Sequence, residues 1–370
     1  MSAVPFAGRL ERVRRRMSEL GVEALGLSVG PDLPWLCGYE AMPLERLTML
    51  VVPAEGDATL VVPRLEAGRV TERPELFTIR PWSETEDPIA IVGDLVGAAG
   101  SLALGDRTWA RFVIDLHRRL PAVELGRAVD VVGPLRAVKD GHEIAALRRA
   151  SEAVDVIAAE LQAGRILLVG RTEAEVSADL GRRILEAGHQ RVNFAIVATG
   201  ANAASPHHEA DDTVIVEGDV VLCDFGGTMH DEFGVGYCSD ITRCVWTGDP
   251  TARAQEVYDV LFAAQAAGVA AGTVGVSCES VDAAAREVIT AAGYGEWFIH
   301  RTGHGIGVEE HEDPYMVSGN TETLLAGHAY SVEPGIYLPG ELGFRLEDIV
   351  VATVDGPDSL NRVDHRLASV

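Results

Sequence analysis

The sequence predicts an α+β protein of two domains. A small α/β domain over residues 1–133 precedes a larger domain over residues 134–370, which has an antiparallel sheet flanked by helices. The length of 370 residues exceeds what one compact core usually serves. Helix and strand patterns alternate in the first part, whereas the second part groups its helices apart from its paired strands. The Gly-Pro and charged stretch VVGPLRAVKDGHE separates the two parts.

The predicted elements of the first domain begin with a helix. Apolar residues recur at spacings of three and four from Phe6 to Leu20, and Gly21 closes the pattern. Strand patterns follow at ALGLSV, at LTMLVVP and ATLVVP on either side of the turn AEGD, and at LFTIRPW. A helical run near 108–120 precedes the domain boundary.

The second domain opens with a long amphipathic helix whose apolar face includes Ile144, Val154 and Leu161. Another helix starts at Thr172, where Glu175 completes a capping box. Two alanine-rich helices are predicted at about 251–272 and 279–292, and strand patterns occur in NFAIVATG, VVLCDFGG, YCSDITRCVW and the last part of the chain.

The bulk composition argues against several classes of function. A net charge of −25 makes binding to nucleic acid or to anionic lipid unfavourable. No apolar run approaches the roughly 18 residues that span a bilayer, and the N-terminus has no signal-peptide core. The five cysteines have no CxxC spacing, which indicates reduced thiols and a cytoplasmic protein.

Two pairs of acidic residues lie on apolar, strand-like segments. In SVEPGIYLPGELGFRLEDIV, Glu333 and Glu347 are equidistant from Gly340, so a regular hairpin would place them opposite each other, with Cβ atoms roughly 5 Å apart. In DVVLCDFGGTMHDEFGVGYCSDITR, Asp224 and Asp240 are likewise symmetric about a loop and are expected to face each other. Buried like charges are costly unless they are neutralised. The four carboxylates together therefore predict a polyvalent cation.

Histidines near the acids add a second type of metal ligand. His300, His304 and His311 all fall within HRTGHGIGVEEHEDP. The glycines around His304 suit a strand end where backbone and ligand approach closely, which makes this residue the best ligand candidate. His207 precedes Asp224 in the chain and is also expected to reach the site.

The donor set of four carboxylates and one imidazole is mostly oxygen. It disfavours cysteine-type structural zinc sites and suits two ions such as Mn²⁺, Co²⁺ or Zn²⁺ bridged by carboxylates. Such a pair makes hydroxide available near neutral pH, which predicts hydrolysis. A glycosidase would also use paired carboxylates, but that alternative gives His304 within GHGIG no role.

The same segments resemble the motifs of a known family. DFGG…GYCSDITR, HRTGHGIGVEEHE, SVEPGIY and FRLED are similar to the metal-binding motifs of the prolidase, aminopeptidase P and methionine aminopeptidase family. The similarity extends from about residue 134 to the last residue, and ALGLSVGPDLPWLCGY resembles the creatinase-type N-terminal domain. The resemblance implies a creatinase-type domain followed by a pita-bread catalytic domain, within the boundaries given above.

A ligand set for two divalent ions is implied by this resemblance, with manganese as the first choice and cobalt or zinc as alternatives. Asp240 and Glu347 would bridge the ions. The complete set of metal ligands would be Asp224, Asp240, His304, Glu333 and Glu347.

Catalytic and substrate-binding roles are implied in the same way. A metal-bridging hydroxide would attack the scissile carbonyl, and Glu333 would accept its proton. His311 or His207 would stabilise the oxyanion. Arg345 would lie near the metal cluster, and it would also serve as a counter-charge for Glu347 on the same strand face. The implied substrate-binding residues are His207, His300, His311 and Arg345.

Two departures from the family pattern concern the substrate pocket. The connection between Asp224 and Asp240 is longer than is usual in prolidases, and its extra residues are expected to reshape the pocket rim. Some prolidases carry an arginine directly after HE-x-P that helps to bind the carboxylate of a dipeptide. Tyr315 occupies that position here, and no Lys or Arg lies between Gly303 and Tyr337.

The implied function is hydrolysis of Xaa-Pro peptide bonds by an Xaa-Pro dipeptidase, or prolidase. An Xaa-Pro aminopeptidase that acts on longer peptides is the alternative, and a non-catalytic, peptidase-like binding protein is a further one. The first domain argues against methionine aminopeptidase, and the five filled ligand positions argue against metal-free creatinase. The resemblance also implies a homodimer and a small peptide substrate with proline in second position.

Overall fold

The computed structural model of the protein describes residues 5–370. Within that range the chain forms two compact units, each built from helices and sheets as the α+β class predicts. The first unit comprises the described chain up to Arg136 together with Asp231–Gly236, and the second comprises Ala137–His230 and Tyr237–Val370. None of the helices in residues 5–370 is both long enough and apolar enough to cross a membrane.

The first unit contains a mixed sheet with helices. The helices are α1 (Phe6–Leu20), α2 (Asp32–Cys37), α3 (Arg64–Ala67), α4 (Pro88–Val96), α5 (Ala110–Arg119) and α6 (Val129–Ala137), which ends at the division between the units. The strands are β1 (Ala24–Leu27), β2 (Met49–Pro53), β3 (Ala58–Pro63), β4 (Phe77–Trp82), β5 (Ser101–Leu104) and β6 (Glu124–Arg127). Their order in the sheet is β4-β3-β2-β1-β5-β6.

The predicted elements of this unit are present. Phe6, Val13 and Met17 are buried along one face of α1, and Gly21 ends the helix with a φ of 69°, a conformation that suits glycine. Strands β2 and β3 form the hairpin around AEGD. The sequence pattern does not predict the short strands β5 and β6.

The tip of the long connection between Asp224 and Asp240 belongs to the first unit. This tip, Asp231–Gly236, is grouped there by its contacts. Phe233 packs edge-on against Phe6, with ring centroids 6.0 Å apart. The expected effect of the extra residues on the pocket rim stays a prediction.

The second unit combines long helices with largely antiparallel strands. The helices are α7 (Gly141–Gln162), α8 (Glu173–Glu186), α9 (Ala252–Ala271) and α10 (Cys278–Ala291), with short 3-10 turns at Gly200–Ala204 and Gly295–Trp297. The first strands are β7 (Arg191–Thr199), β8 (Val220–His230), β9 (Gly236–Cys238) and β10 (Ile241–Trp246). The later strands are β11 (Gly303–Gly305), β12 (Glu312–Met316), β13 (Ala329–Val332), β14 (Gly335–Leu338), β15 (Leu342–Arg345), β16 (Asp348–Thr353), β17 (Gly356–Ser359) and β18 (Ala368–Ser369).

Three sheets result from these strands. One has the order β18-β10-β8-β7, with β9 beside β8; another has the order β12-β11-β13-β16-β17; the third is the hairpin β14-β15. The capping box predicted at Thr172 and Glu175 is present at the start of α8. Residues of β8 alternate between two apolar clusters, so that Val221 and Cys223 pack in one and Leu222 in the other. Asp224 therefore faces the same side of the sheet as Leu222.

Candidate metal centre

The two glutamates of the sequence prediction lie opposite each other. Val332 pairs with Asp348 on one side of them, and Gly335 pairs with Arg345 on the other. Both pairs belong to one antiparallel register, which places Glu333 across from Glu347 where the hairpin passes from one sheet to the next. The predicted pairing of the glutamates is confirmed.

The two aspartates lie on neighbouring strands but not opposite each other. Asp224 on β8 pairs with Thr242 on β10, and Asp240 immediately precedes β10. The predicted pairing of Asp224 with Asp240 is therefore wrong by two residues, because the long connection does not turn about its midpoint. Since Asp240 and Thr242 are two positions apart on one chain segment, both aspartates still face the same side of the sheet.

All five predicted metal ligands come together in this unit. Asp240, His304 and Glu347 are buried, and each offers one ligand atom within 4.8 Å of the others. Glu333 Oε1 lies 3.2 Å from His304 Nε2. The charge of Asp224 raises the pKa of Asp240, after the larger effects of burial and of Glu347.

The carboxylates perturb one another strongly. Burial and then the charge of Glu333 raise the pKa of Glu347 well above its ordinary value. Burial and then the charge of Glu347 likewise raise the pKa of Asp240 well above its ordinary value. Burial acts in the same direction on Glu333, but the hydrogen bond and the charge of His304 outweigh it and lower the pKa of Glu333 to about 2. Asp240 and Glu347 can therefore both carry a negative charge beside Glu333 only if further positive charge is added.

His304 is held with one ring nitrogen directed at the acids. Its Nδ1 lies 3.1 Å from the carbonyl oxygen of Gly305, which can only accept, so Nδ1 carries a proton. Its Nε2 lies 3.7 Å from Asp240 Oδ2 as well as close to Glu333. A Cβ atom at Gly303 would meet the Ser331 carbonyl oxygen at 1.8 Å, so glycine is required for β11 to bring His304 so near to β13.

The residues fit a divalent metal. Oδ1 of Asp224 and Oδ1 of Asp240 are buried, and within the described chain neither has a hydrogen-bond partner. Buried polar atoms without partners are rare and require an explanation. Two such carboxylate oxygens beside an imidazole nitrogen are the donors that Mn²⁺, Co²⁺ and Zn²⁺ accept.

Arg345 binds Asp224 rather than Glu347. Its Nη2 donates to Asp224 Oδ2 at 2.5 Å, and its Nε donates to the Thr242 hydroxyl at 3.2 Å. That hydroxyl in turn donates to Glu347 Oε2 at 2.7 Å. The charge of Arg345 also opposes the rise in the pKa of Glu347, so Arg345 is a counter-charge for Glu347 as predicted. Its direct hydrogen bond goes to Asp224, and Thr242 links the two acids.

His300 is joined to the same network through Tyr337. Arg345 Nη1 donates to the Tyr337 hydroxyl at 2.9 Å, and this hydroxyl lies 2.9 Å from His300 Nε2. His300 Nδ1 lies 2.7 Å from the carbonyl oxygen of Arg301, so Nδ1 carries the proton and Nε2 accepts from Tyr337. Burial is the main cause that lowers the pKa of His300, which keeps this neutral form.

His311 stands beside His304, with ring centroids 3.9 Å apart. Burial, followed by the charges of His304 and Arg301, lowers the pKa of His311 to about 4. Arg301 Nη2 lies 3.5 Å from His311 Nδ1, and its guanidinium stands over the Tyr315 ring at 4.4 Å. His207 is exposed and contributes to the lowered pKa of His311, so it lies near the same place.

Several residues of the site are not singled out by sequence reasoning. Thr242, Ser331 and Tyr337 hydrogen-bond the acids or Arg345, and Arg301 provides a cation near His311. Thr242 and Tyr337 lie within the segments that carry the acids, on the same strand faces, which is the signal that would have identified them. Ser331 lies two residues before Glu333 and donates to it at 3.1 Å.

Comparison with known proteins identifies two family profiles in the chain. Residues 145–354 match metallopeptidase family M24, and residues 9–138 match the creatinase/prolidase N-terminal domain. Among relatives, the chain is 42% identical to the probable dipeptidase PepE of Mycobacterium tuberculosis, over 99% of this chain and 96% of the relative. It is 32% identical to the Xaa-Pro dipeptidase of Lactobacillus delbrueckii subsp. lactis, over 94% and 95%.

Solved structures give the same picture of the fold. The prolidase of Thermococcus sibiricus superposes with a TM-score of 0.92 at 33% identity and covers 100% of each chain. Dipeptidase PepE of Mycobacterium ulcerans superposes with a TM-score of 0.91 at 41% identity, over 99% of this chain and 98% of the other. These similarities confirm the creatinase-type domain and the pita-bread domain as the fold.

Proposed function

Because the chain belongs to metallopeptidase family M24 and is a metal-dependent hydrolase of peptides, we propose that it cleaves Xaa-Pro peptide bonds and prefers Xaa-Pro dipeptides. The observation that carries the proposal is the group formed by Glu333 with the buried side chains of Asp224, Asp240, His304 and Glu347, in which two aspartate oxygens have no hydrogen-bond partner in the described chain. The dipeptidase and prolidase names of similar proteins support the choice of substrate.

We propose that the site holds two divalent ions, with Mn²⁺ preferred. The proposed ligands are Asp224, Asp240, His304, Glu333 and Glu347, and their mostly oxygen donor set supports manganese. When bound, such ions supply Lewis acidity and a hydroxide nucleophile near neutral pH. Among the acids, Glu333 has the more accessible side chain, 15% exposed against 5% for Asp240. It is therefore the acid that we propose accepts and returns a proton at its Oε atoms.

His311 is proposed to stabilise the carbonyl oxygen of the scissile bond. Since the guanidinium of Arg301 can only donate, His311 Nδ1 accepts from it, and the ring proton of the neutral form lies on Nε2. A pKa of about 4 keeps the ring neutral at pH 7, so that it donates one hydrogen bond without changing charge. His207, which is exposed nearby, is proposed to bind the substrate as well.

His300 and Arg345 act on the substrate less directly. Both ring nitrogens of His300 are engaged, so we propose that it offers its half-buried ring surface to the peptide. Arg345 is only 2% exposed and donates to Asp224, Thr242 and Tyr337. We therefore propose that Arg345 affects substrate binding indirectly, by holding Tyr337 and the proposed metal ligand Asp224 in place.

Preference for dipeptides is attributed to Arg301. No Lys or Arg occurs between Gly303 and Tyr337 in the sequence, and Tyr315 occupies the sequence position where some prolidases carry an arginine. The guanidinium of Arg301, however, lies over the ring of Tyr315. A guanidinium beside the catalytic histidine His311 is suited to the free carboxylate of a dipeptide.

The substrate assay compares three peptides with the Mn²⁺-loaded enzyme. We expect turnover of Ala-Pro, slower turnover of Ala-Pro-Ala and none of Ala-Ala. Exclusive turnover of Ala-Pro-Ala would replace the dipeptidase by an Xaa-Pro aminopeptidase. Full turnover after removal of metal by a chelator would contradict the metal site, and two bound metal equivalents without any turnover would indicate a binding protein.

Three further properties are proposed. The protein is proposed to be a homodimer, which sedimentation equilibrium tests directly. It is proposed to be cytoplasmic, because its five cysteines are free and buried. The catalytic domain is proposed to begin at residue 134, which limited proteolysis near that residue would test.

A further inference from the structure

Glu173 is a buried carboxylate outside the metal centre. It lies in the first turn of α8 and is 0% exposed. A buried carboxylate is costly unless hydrogen bonds satisfy both of its oxygens. The hydrogen-bond partners of Glu173 therefore indicate the structural role of this buried carboxylate.

The carboxylate of Glu173 joins both ends of one chain segment. Its Oε1 accepts from the backbone nitrogen of Thr199 at 2.7 Å and from Asn202 Nδ2 at 3.1 Å. Its Oε2 accepts from His208 Nε2 at 2.6 Å and from the backbone nitrogen of Asp211 at 3.3 Å. All four donors belong to residues 199–211, called the 199–211 segment below, which leaves β7 and leads towards β8.

This arrangement is a hydrogen-bonded clamp and not a metal site. Glu173, His208 and Asp211 are spaced closely enough to hold an ion. Each oxygen of Glu173 already accepts from two N–H donors, however, and a cation would have to displace these donors. The charge of Glu173 is therefore used to order the segment.

The 199–211 segment carries two features of the metal centre between its clamped ends. The carbonyl oxygen of Pro206 accepts from Arg345 Nη1 at 3.3 Å, and His207 follows directly. The same segment packs so tightly on β15 that a Cβ atom at Gly343 would meet the Ala203 carbonyl oxygen at 1.8 Å. Since His207 is itself exposed, its location depends on the backbone that flanks it.

We infer that Glu173 is a positioning residue of the peptidase reaction, which holds the 199–211 segment so that His207 meets the substrate. The inference rests on the proposed role of His207 in the preceding section. Loss of the Glu173 charge should therefore lower kcat/KM only when His207 is present, because the two residues act as one unit.

The test is a double-mutant cycle on kcat/KM for Ala-Pro with the Mn²⁺-loaded enzyme. Glu173→Gln places an amide group against N–H donors, and we expect it to lower kcat/KM about tenfold. In the His207→Ala background the same substitution is expected to change kcat/KM less than about twofold. Glu175→Gln is the matched control, because Glu175 is exposed in the same turn of α8, and it is expected to keep wild-type kinetics.

Three outcomes decide between the possibilities. An equal loss from Glu173→Gln in both backgrounds, or kinetics like those of the control, would overturn the inference and leave the role of His207 intact. A His207→Ala enzyme with full kcat/KM would overturn the proposed role of His207 and the inference together. If Glu173→Gln does not fold, His208→Asn removes one donor of the clamp, and the same cycle applies to it.

Discussion

Arg345 donates to one oxygen of Asp224 and leaves the other oxygen without a partner in the described chain. The guanidinium thus fixes the rotation of the carboxylate and directs Oδ1 away from itself. A buried carboxylate oxygen oriented in this way is prepared for a cation. Arg345 consequently influences the metal centre through Asp224.

We predict that Arg345→Lys weakens metal binding. Lysine keeps the charge but loses the planar fork that reaches Asp224, Thr242 and Tyr337 at the same time. The expected loss in Mn²⁺ affinity is about tenfold, as for other residues that orient metal ligands. Isothermal titration calorimetry on metal-free protein measures the effect. Arg366→Lys, at an exposed ion pair, is the control, and an unchanged affinity in Arg345→Lys would contradict the prediction.

A second prediction concerns the close approach of β11 and β13. Gly303→Ala would drive a Cβ atom into the Ser331 carbonyl, and we expect a loss of about 1–3 kcal/mol in the free energy of unfolding, with lower activity because His304 follows directly. Gly141→Ala, at the start of α7 with nothing within 4 Å, is expected to be neutral or slightly stabilising. Urea unfolding curves of the two variants compare these effects, and equal stability would refute the account of Gly303.

A third prediction concerns His328, which is 1% exposed and lies far in the chain from the proposed ligand His304. Burial and then the charge of Lys139 lower the pKa of His328 from 6.5 to about 4. Between these values the unfolded chain binds a proton that the folded chain does not, so the free energy of unfolding falls as the pH is lowered through this interval.

The substitution His328→Asn removes this titration. Between pH 7 and pH 5, the free energy of unfolding should fall by about 2 kcal/mol more in the wild-type protein than in the variant. Urea denaturation of both metal-free proteins at the two pH values gives the difference. The same pH dependence in variant and wild type would show that His328 is protonated equally in the folded and unfolded chain.

A fourth prediction tests Arg301 as the recognition site for a dipeptide carboxylate. Arg301→Ala should lower kcat/KM for Ala-Pro about tenfold, mainly by raising KM, and should leave Ala-Pro amide nearly unaffected. Arg253→Ala is the control, because Arg253 also stacks on a tyrosine, Tyr294, but on α9. Equal losses for the acid and the amide would mean that Arg301 acts on His311 and not on the carboxylate.

Much of the site is predictable from the sequence because strand periodicity carries it. Glu333 and Glu347 are symmetric about Gly340, and the structure has the hairpin centred there, with a φ of 78° at that glycine. Symmetry fails for Asp224, which pairs with Thr242, because the intervening loop extends into the first unit and its turn is not fixed by strand pattern.

The remaining contacts depend on tertiary packing that no local pattern encodes. Arg301 lies two residues before Gly303, outside the segment from Gly303 to Tyr337 that contains no Lys or Arg, yet its side chain reaches Tyr315. From the sequence, Glu173 is an acidic residue in the first turn of a capped helix. Its burial becomes evident only from the structure, in which the 199–211 segment covers it. The contacts of such side chains depend on residues that are distant in sequence and that the fold brings close.

We propose that divalent ions hold together the side chains of Asp224, Asp240, His304, Glu333 and Glu347. Anomalous diffraction from crystals grown with Mn²⁺ locates such ions without reference to activity. We expect two strong anomalous peaks among these five side chains, with carboxylate oxygens and His304 Nε2 as ligands. Crystals that show no peak there at saturating Mn²⁺, or a peak only elsewhere, would contradict this proposal.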